Sequence, residues 1–505
     1  MDISKSMIGR LDPAGEQPLY LQLAEAIAAR IRDHSLAPGT KLPPERELAQ
    51  QFAVSRTTAI NVYRELERQE LVRTKVGSGT YVADQPHPGL NSQVPWQQLF
   101  VTHSQSPLSS ILRELVAPAG TGHISLAAGM ADPALYPLAD LEAIIARHFA
   151  AMDPAALGHI GTEGYQPLRE ILARRAAQQG MAADSGNIMT LAGSQQGLYL
   201  VCKAFLEPGD YVIVQAPTFI GAIQVFQTAG ARIISLPAEP AFPLALLEDY
   251  LVRYRPKLMY LIPTFQNPTG ESLTLHDRKE VLRLAARHRL AILEDDPYSE
   301  LWYETPAPPS LKSLDTYGGV IYLSTFSKTV LPGFRLGWLM APPAVINRLA
   351  YEKQYVDLHS NNLAQWLIAF YLTEGLYEEH LKTVRKEYKK RRDVLFLALQ
   401  RLCGEHLSFA MPEGGFYLWC QLRPGPRALT SRALLHEAAK QGLSFAPGEA
   451  FYADQKGENQ LRLCFTSHPA PDLMEGAKRL RKCLTSFPDL SGREQLAAEG
   501  IKPLI

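Results

Sequence analysis

The chain carries no surplus of charge. Lys and Arg number 51, Asp and Glu number 51, and the formal net charge of the 505 residues is +0. Bulk charge therefore does not mark it as a nucleic-acid or membrane-surface binder, and any such site must come from local arrangement. Cysteine is scarce. The five present (Cys202, Cys403, Cys420, Cys464, Cys483) are scattered with no CxxC pair. That spacing argues against a disulfide framework or a zinc site, no metal is expected, and a reducing compartment fits best. The opening MDISKSMIGRLDP has no apolar signal core, and no apolar run is long enough to span a bilayer. A soluble cytoplasmic protein without a membrane partner is expected. There is also no fixed-period repeat and no low-complexity tract. The 46% hydrophobic and 20% charged content is ordinary, and the length allows several domains.

Short helical patterns crowd the first 83 residues. PLYLQLAEAIAARIRDHSLAPG spaces Leu19, Leu23, Ile27 and Ile31 four apart, one apolar helix face, with Pro38 and Gly39 as the stop. LPPERELAQQFAVS predicts a second helix begun by prolines suited to a first turn. Ser55 can cap a third, RTTAINVYRELERQE, which buries Val62, Tyr63 and Leu66. LVRTKVGSGTYVA then reads as two strands joined by the Gly77-Ser78-Gly79 turn. Three helices and a hairpin make a winged helix-turn-helix, an α+β unit. Such a fold puts the N-terminal end of its second motif helix at the base edges of the major groove. Here that end is Ser55, Arg56, Thr57 and Thr58. Arginine can bond guanine bidentately, and the hydroxyls can reach bases or phosphates. Arg46 is placed for a phosphate, and Lys75 with the Gly77 turn for the backbone or minor groove. Acidic residues (Glu45, Glu47, Glu65, Glu67, Glu70) interleave with these, so charge alone leaves a solvated helical bundle equally open.

The motif string settles that choice. G-x-x-L-P-x-E-R-x-L, then V-S-R-x-T, then G-S-G-T-Y-V, across residues 18–82, resembles the GntR family of bacterial winged-helix regulators. The resemblance implies that Arg46, Ser55, Arg56, Thr57, Thr58 and Gly77 contact operator DNA. One departure is Glu70, where relatives usually carry glycine before the wing.

From Asp84 to Gly122 the pattern weakens into stretches such as DQPHPGLNSQVP and APAGTG, a linker that need not hold one geometry. WQQLF and SSILREL within it are expected to dock. From His123 onward strand-like runs (YVIVQAP, LMYLIPT, LAILEDD, VIYLSTF) alternate with helical stretches, which indicates an α/β fold with a mostly parallel sheet. A smaller α+β lobe is expected from about Tyr351 to Ser486. The expected layout is 1–83, DNA-binding; 84–122, linker; 123–486, ligand-binding and dimerising; 487–505, tail.

This second piece holds what pyridoxal phosphate demands: a lysine for a Schiff base, a carboxylate for the ring nitrogen, and a phosphate cradle. STFSKTVLPGFRLGW supplies Lys328, with Thr325, Ser327 and Arg335 as phosphate ligands. AGSQQGLYLVCKAF sets Ser194 and Gln195 at a helix start, for the phosphate. LEDDPYSE offers Asp295 to the ring nitrogen and Tyr298 to the phenolic oxygen. Phe219 is placed to stack on the ring, Asn267 stands in QNPTG, and Arg462 can clamp a substrate carboxylate bidentately. Each has an ordinary explanation when taken alone, as core, turn or salt bridge. Together, in this order and at strand ends where α/β ligand sites form, they point to one cofactor.

With PEGGFYLW and FAPGEAFY, the ordered set over residues 124–484 resembles the fold-type I aminotransferases, especially the kynurenine and α-aminoadipate branch. Where those relatives carry a tyrosine that reaches the cofactor phosphate from the partner subunit, this chain has His159, a candidate replacement. The two halves together resemble the MocR family of bacterial regulators. That resemblance implies a homodimeric, pyridoxal-phosphate-dependent transcription regulator, sensing the cofactor or an amine or amino acid through an aldimine at Lys328. The alternative is a working aminotransferase, with Lys328, Asp295 and Tyr298 catalytic, that carries a tethered DNA-binding module. Sequence alone does not exclude turnover.

Overall fold

The computed structural model describes residues 11–12, 17–32, 35–75, 78–83, 122–237, 241–424 and 429–486. The chain divides into two compact units, Met1–Val101 and Thr102–Ile505. The expected linker up to residue 121, its WQQLF and SSILREL stretches, and the tail 487–505 lie outside the described residues.

In the first unit, helices α1 (Leu19–Arg32), α2 (Glu45–Phe52) and α3 (Arg56–Arg68) precede strands β1 (Val72–Lys75) and β2 (Gly79–Val82). The four-residue spacing works as expected. Leu23, Ile27 and Ile31 pack against Leu48, Phe52, Val62, Tyr63 and Leu66 in one core. Burying each such side chain stabilises the unit by about 1.5–3 kcal/mol. Pro44 sits at the N-cap of α2 rather than inside its first turn, and Ser55 caps α3 by accepting from Thr58 N–H at 3.0 Å. β1 and β2 pair antiparallel from Val72–Val82 to Lys75–Gly79. This is the winged helix-turn-helix.

The second unit is built on a seven-stranded sheet. Its strands are β4 (Ile188–Leu191), β5 (Tyr211–Ala216), β6 (Arg232–Pro237), β7 (Leu258–Leu261), β8 (Ala291–Asp295), β9 (Val320–Thr325) and β10 (Gly337–Met340). The order is β4-β10-β9-β8-β7-β5-β6. All neighbours are parallel except β10, which runs antiparallel to β4 and β9. β7 and β8 are buried on both faces, which is why LMYL and AILED read as unbroken apolar runs closed by an acidic end. β3 (Ile124–Ser125) pairs in parallel with β13 (Leu443–Ser444). The smaller lobe carries an antiparallel sheet, β11-β12-β15-β14, from Leu407–Phe409, Tyr417–Leu422, Gln460–Cys464 and Ala446–Pro447. Helices Leu376–Cys403 and Ala470–Ser486 belong to the same lobe. All five cysteines are free and buried. Among the described residues no helix is long and apolar enough to cross a membrane.

Glu70 is the local exception in the first unit. Its φ is +57°, the left-handed region where a β-carbon costs about 1–2 kcal/mol. That explains why glycine is the usual residue before the wing. Glu70→Gly is therefore expected to stabilise the first unit by about 1 kcal/mol. Calorimetry of the full chain should show the transition of that unit moving up by several degrees, with the other transition unmoved.

Candidate functional site

The site of the second unit grows from the end of β8. Three successive carboxylates there do three different jobs. Alternation along the strand sends Glu294 and Asp295 to opposite faces. Glu294 accepts from the N–H groups of Leu311 and Lys312 at 2.8 and 2.7 Å, and so caps the short helix Leu311–Leu314. Burial pushes Glu294 up to about 8. Asp296 accepts from Tyr322 Oη at 2.8 Å and from Ser299 N–H at 3.0 Å. Asp295 accepts from Tyr260 Oη at 2.7 Å through Oδ2 only, while its buried Oδ1 has no partner. Burial lifts Asp295 to about 7. The Tyr260 bond and the Lys328 charge oppose that rise, and Asp296 adds to it.

Lys328 follows β9 and donates from Nζ to the Gly129 carbonyl at 2.6 Å. Loss of solvent drives its ammonium down to about 8, helped by Arg462 and Arg335 and opposed by Cys464 and Asp295. The phosphate ligands expected on both sides of it converge. Thr325 Oγ1 donates to Ser327 Oγ at 3.1 Å and accepts from Ser327 N–H at 3.1 Å. Arg335 lies against Gly193, the residue before the helix Ser194–Phe205. A β-carbon on Gly193 would come within 2.7 Å of Arg335 Nη2, and its φ of +93° also demands glycine. The start of that helix thus faces a guanidinium and carries the Ser194 hydroxyl, an arrangement suited to an anion. Gln195 donates to the Gly221 carbonyl at 3.1 Å, beside the Phe219 ring at the head of the helix Ile220–Thr228.

Arg462 on β15 is buried and reaches across from the smaller lobe. It donates to Asn267 Oδ1 at 2.7 Å and to the Ala127 carbonyl at 2.5 Å, while its Nε has no partner. The rings of Tyr417 and Phe451 lie against the guanidinium, at 4.1 and 4.7 Å from Cζ to centroid. Tyr298 is buried, and its hydroxyl meets Tyr417 Oη at 2.9 Å. Tyr260, Tyr417 and the carbonyls of Ala127 and Gly129 thus join the expected residues. For the tyrosines the sequence does hold one signal: a polar tip in a strand-like apolar run must find a partner.

His159 stands apart. It is exposed, and its Nδ1 lies 3.3 Å from His359 Nε2. The His359 loop is tied down by Asp357, which accepts from buried Lys353 at 2.7 Å and from Gln196 at 2.8 Å. Gln196 belongs to the same first turn as Gln195.

In the first unit Arg46, Ser55, Arg56 and Thr57 are exposed at the ends of α2 and α3, and Lys75 is exposed at the end of β1. Thr58 is half-buried, and its hydroxyl shares a 2.8 Å bond with Ser55 Oγ. Arg56 stands 3.5 Å from Glu45 in an exposed pair worth at most about 1 kcal/mol, so Arg56 is easily released. The ammonium groups of Lys75 and Lys41 lie 5.5 and 5.8 Å from the Tyr81 ring on the wing. Lys41 does not stand out in the sequence. Gly77 lies outside the described residues.

The donor set fits pyridoxal phosphate. A lysine amine of lowered basicity, a buried carboxylate oxygen lacking a partner, a protonated tyrosine and an anion cradle are what that group needs. No group of three or more His, Cys, Asp or Glu placed for a metal occurs among the described residues.

Comparison with known proteins divides the chain the same way. Residues 134–480 match the family described as aminotransferase class I and II, and residues 19–82 match the bacterial regulatory proteins of the gntR family. The uncharacterized HTH-type transcriptional regulator YisV of Bacillus subtilis is 33% identical over 474 residues, covering 91% of this chain and 95% of that protein. The 2-aminoadipate transaminase of Thermus thermophilus is 36% identical over 394 residues, covering 77% of this chain and 97% of its own. The crystal structure of Pyrococcus horikoshii kynurenine aminotransferase in complex with PMP is similar to the second unit, at 35% identity and a TM-score of 0.72. It covers 77% of this chain and 98% of that one.

The raised Asp295 carries a pH signature for the protein without its cofactor. The folded state holds the Asp295 proton up to about pH 7, whereas an unfolded aspartate loses it near 3.8. Stability must therefore fall as pH rises through that window and level off above it. Each pKa unit is worth about 1.4 kcal/mol. Asp295→Asn should melt higher than the parent at pH 8 and show little advantage near pH 4. Paired thermal melts of the cofactor-free proteins read this directly.

Proposed function

Because the chain belongs to the aminotransferase class I and II family and carries a gntR-family module ahead of that domain, we propose that it is a DNA-binding transcription regulator whose sensor is pyridoxal phosphate held at Lys328. One observation carries the reading. The same chain presents an exposed recognition-helix end at Arg56 and Thr57 and a full cofactor-binding set around Lys328. A relative that spans both units is a transcriptional regulator by name.

In this reading Lys328 gives the amine, Asp295 Oδ1 meets the ring nitrogen, and Tyr298 faces the phenolic oxygen. Ser194, Gln195, Thr325, Ser327 and Arg335 hold the phosphate, and Phe219 stacks on the ring. Arg462, oriented by Asn267, takes the carboxylate of an amino-acid effector. The cofactor, when bound, supplies an aldehyde for reversible covalent capture of amines and a ring that withdraws electrons. The chain supplies the switch. Lys328 and Arg462 donate to Gly129 and Ala127, two carbonyls of one short stretch. That stretch follows residues 84–122, which we take as the linker between a DNA-binding unit (1–83) and an effector unit (123–486), with 487–505 as a tail. A lysine nitrogen held in a covalent link keeps at most one proton and a fixed direction, so the bond to Gly129 competes with it. A carboxylate at Arg462 would take the free Nε–H and the second proton of Nη2, beside the bond to Ala127. An amine that takes the cofactor's aldehyde would displace Lys328 and return its nitrogen as a free amine able to donate to Gly129 again. The stretch would then be held differently with cofactor alone and with cofactor plus amine, and this differential affinity is what biases the DNA-binding state.

The homodimer belongs to the same proposal. Tyr351, Tyr355, Val356 and Leu358 are exposed around His359, with Tyr355 at 84%. An apolar patch of this kind marks an association surface. There His159 and His359 would approach the cofactor phosphate of the partner subunit.

The second reading, a working aminotransferase, is favoured by the unpartnered Nε of buried Arg462 and by the likeness to transaminases. Lys328 would then also move a proton at the substrate carbon. A screen of amino donors for multiple turnovers separates the two readings.

Purified protein with cofactor should absorb in the near-ultraviolet to visible range, and Lys328→Ala should lose the covalent link. Protein that stays colourless after added pyridoxal phosphate sinks both readings. On the protein's own upstream DNA, Arg56→Ala should weaken binding by about 1–3 kcal/mol if Arg56 reads a base. An amine effector should change that binding in the parent and not in Lys328→Ala, with fluorescence anisotropy as the measurement.

A further inference from the structure

Tyr417 touches three parts of the cofactor site and has so far been given no role. It lies on β12 and is 2% exposed. Its Oη is 2.9 Å from Tyr298 Oη, and its ring lies 4.1 Å from Arg462 Cζ. It also closes on the backbone of Gly129, where a β-carbon would come within 1.9 Å of its Oη. Gly129 is the residue whose carbonyl receives Lys328.

A phenol has one proton and two lone pairs. Between two tyrosines alone, the shared bond can run either way. A ligand removes that freedom. Tyr298 stays protonated, because burial raises it well above its ordinary value. When it directs that single proton at an anionic ligand oxygen, the 2.9 Å contact survives only with Tyr417 donating. A hydroxyl that accepts a bond gives a stronger one, so the chain of two reinforces itself. Several groups face the pair. Arg462 and Cys464 come from β15, Asp295 from β8, Tyr260 from β7, and Lys328 from the turn after β9. Of these, the guanidinium and the ammonium favour negative charge beside Tyr298, and Asp295 opposes it.

The geometry points to Tyr417 as a positioning residue with two effects: it donates to Tyr298, strengthening the hydrogen bond Tyr298 gives to the phenolic oxygen of the cofactor, and its ring holds Arg462 in place for a carboxylate. The inference rests on the reading of Lys328 and Tyr298 as cofactor residues, and its test separates the two.

The test uses the full chain loaded with pyridoxal phosphate. Absorbance followed against pH gives the pKa of the covalent chromophore. A donor to the phenolic oxygen stabilises it as phenolate and so lowers that pKa. Tyr417→Phe should raise the pKa by several tenths of a unit, on the order of a 10–30% weakening of the neighbouring bond. Tyr298→Phe should raise it further. Tyr417→Phe keeps the ring and should bind 4-methylvalerate, a carboxylate without an amine, as the parent does. Tyr417→Leu removes the π face over Arg462 and should bind it about fivefold more weakly. A pKa equal to the parent's in Tyr417→Phe, with Tyr298→Phe shifted, overturns the relay and leaves the cofactor reading standing. Unchanged 4-methylvalerate affinity in Tyr417→Leu overturns the clamp role. A parent that forms no chromophore overturns the cofactor reading, and the inference falls with it.

Discussion

Asp295 leaves one carboxylate oxygen buried without a partner while the other accepts from Tyr260 at 2.7 Å. In a desolvated site such an oxygen is costly unless a donor or cation meets it. The surrounding structure offers no relief from within. Glu294 and Asp296 hold donors of their own, and Asp296 adds like charge. Lys328 is a cation of the same site, but its ammonium is bonded to Gly129. β8 lies between β7 and β9 in the sheet, so water does not reach the carboxylate. The carboxyl therefore keeps its proton up to about pH 7, and a protonated ring nitrogen would let it ionise in place. Binding of such a group stabilises the folded unit by mass action, and the fold in return holds the ring by its strongest electrostatic handle.

The framework was legible because buried parallel strands are long apolar runs, and the residues that end them stand out. Asp295 ends β8, and Tyr298 and Lys328 follow the ends of β8 and β9 by three residues, so spacing along the chain places them. Other parts act across the sheet or between lobes, where spacing says nothing. Tyr298 and Tyr417 are 119 residues apart, and Arg462 lies 335 residues from Ala127. A carbonyl has no side chain to announce it, so the roles of Ala127 and Gly129 had no signature at all. The acidic run at the end of β8 reads as one cluster, yet the pleat splits it into a helix cap, a carboxyl with one unpartnered oxygen and a tyrosine acceptor. His159 was visible only as a departure from a pattern. Its meeting with His359 depends on a loop held by buried Lys353, which nothing in the sequence marks.

The first unit shows the same division between what is fixed and what is left free. Ser55 and Thr58 bond to each other and to the helix backbone, so their hydroxyls shape the end of α3. The exposed Arg56 and Thr57 are left as the proposed base readers. Arg56 is kept by Glu45 in a weak exposed pair, which orients it at little cost to its release. Glu70 accepts a left-handed backbone before the wing. The strain lies beside the wing rather than on the recognition helix.

Whether the second unit acts as a switch or an enzyme turns on what moves. Arg462 is pinned between Tyr417 and Phe451 and further held by Asn267. A guanidinium so confined does not travel to its ligand. A carboxylate would draw on its free N–H groups while the Ala127 and Asn267 bonds keep it aimed. In the proposed reading an amine that displaces Lys328 from the cofactor would free the lysine nitrogen to donate to Gly129. That exchange would act, in the same reading, on the backbone that follows residues 84–122. Such a coupling is reciprocal. If an amine weakens the hold on DNA tenfold, about 1.4 kcal/mol, operator DNA weakens the amine tenfold. Turnover imposes no such symmetry, because it reports a flux rather than an occupancy. A rigid arginine, and a lysine whose bond to Gly129 depends on what holds its nitrogen, favour in this reading a site built to report occupancy.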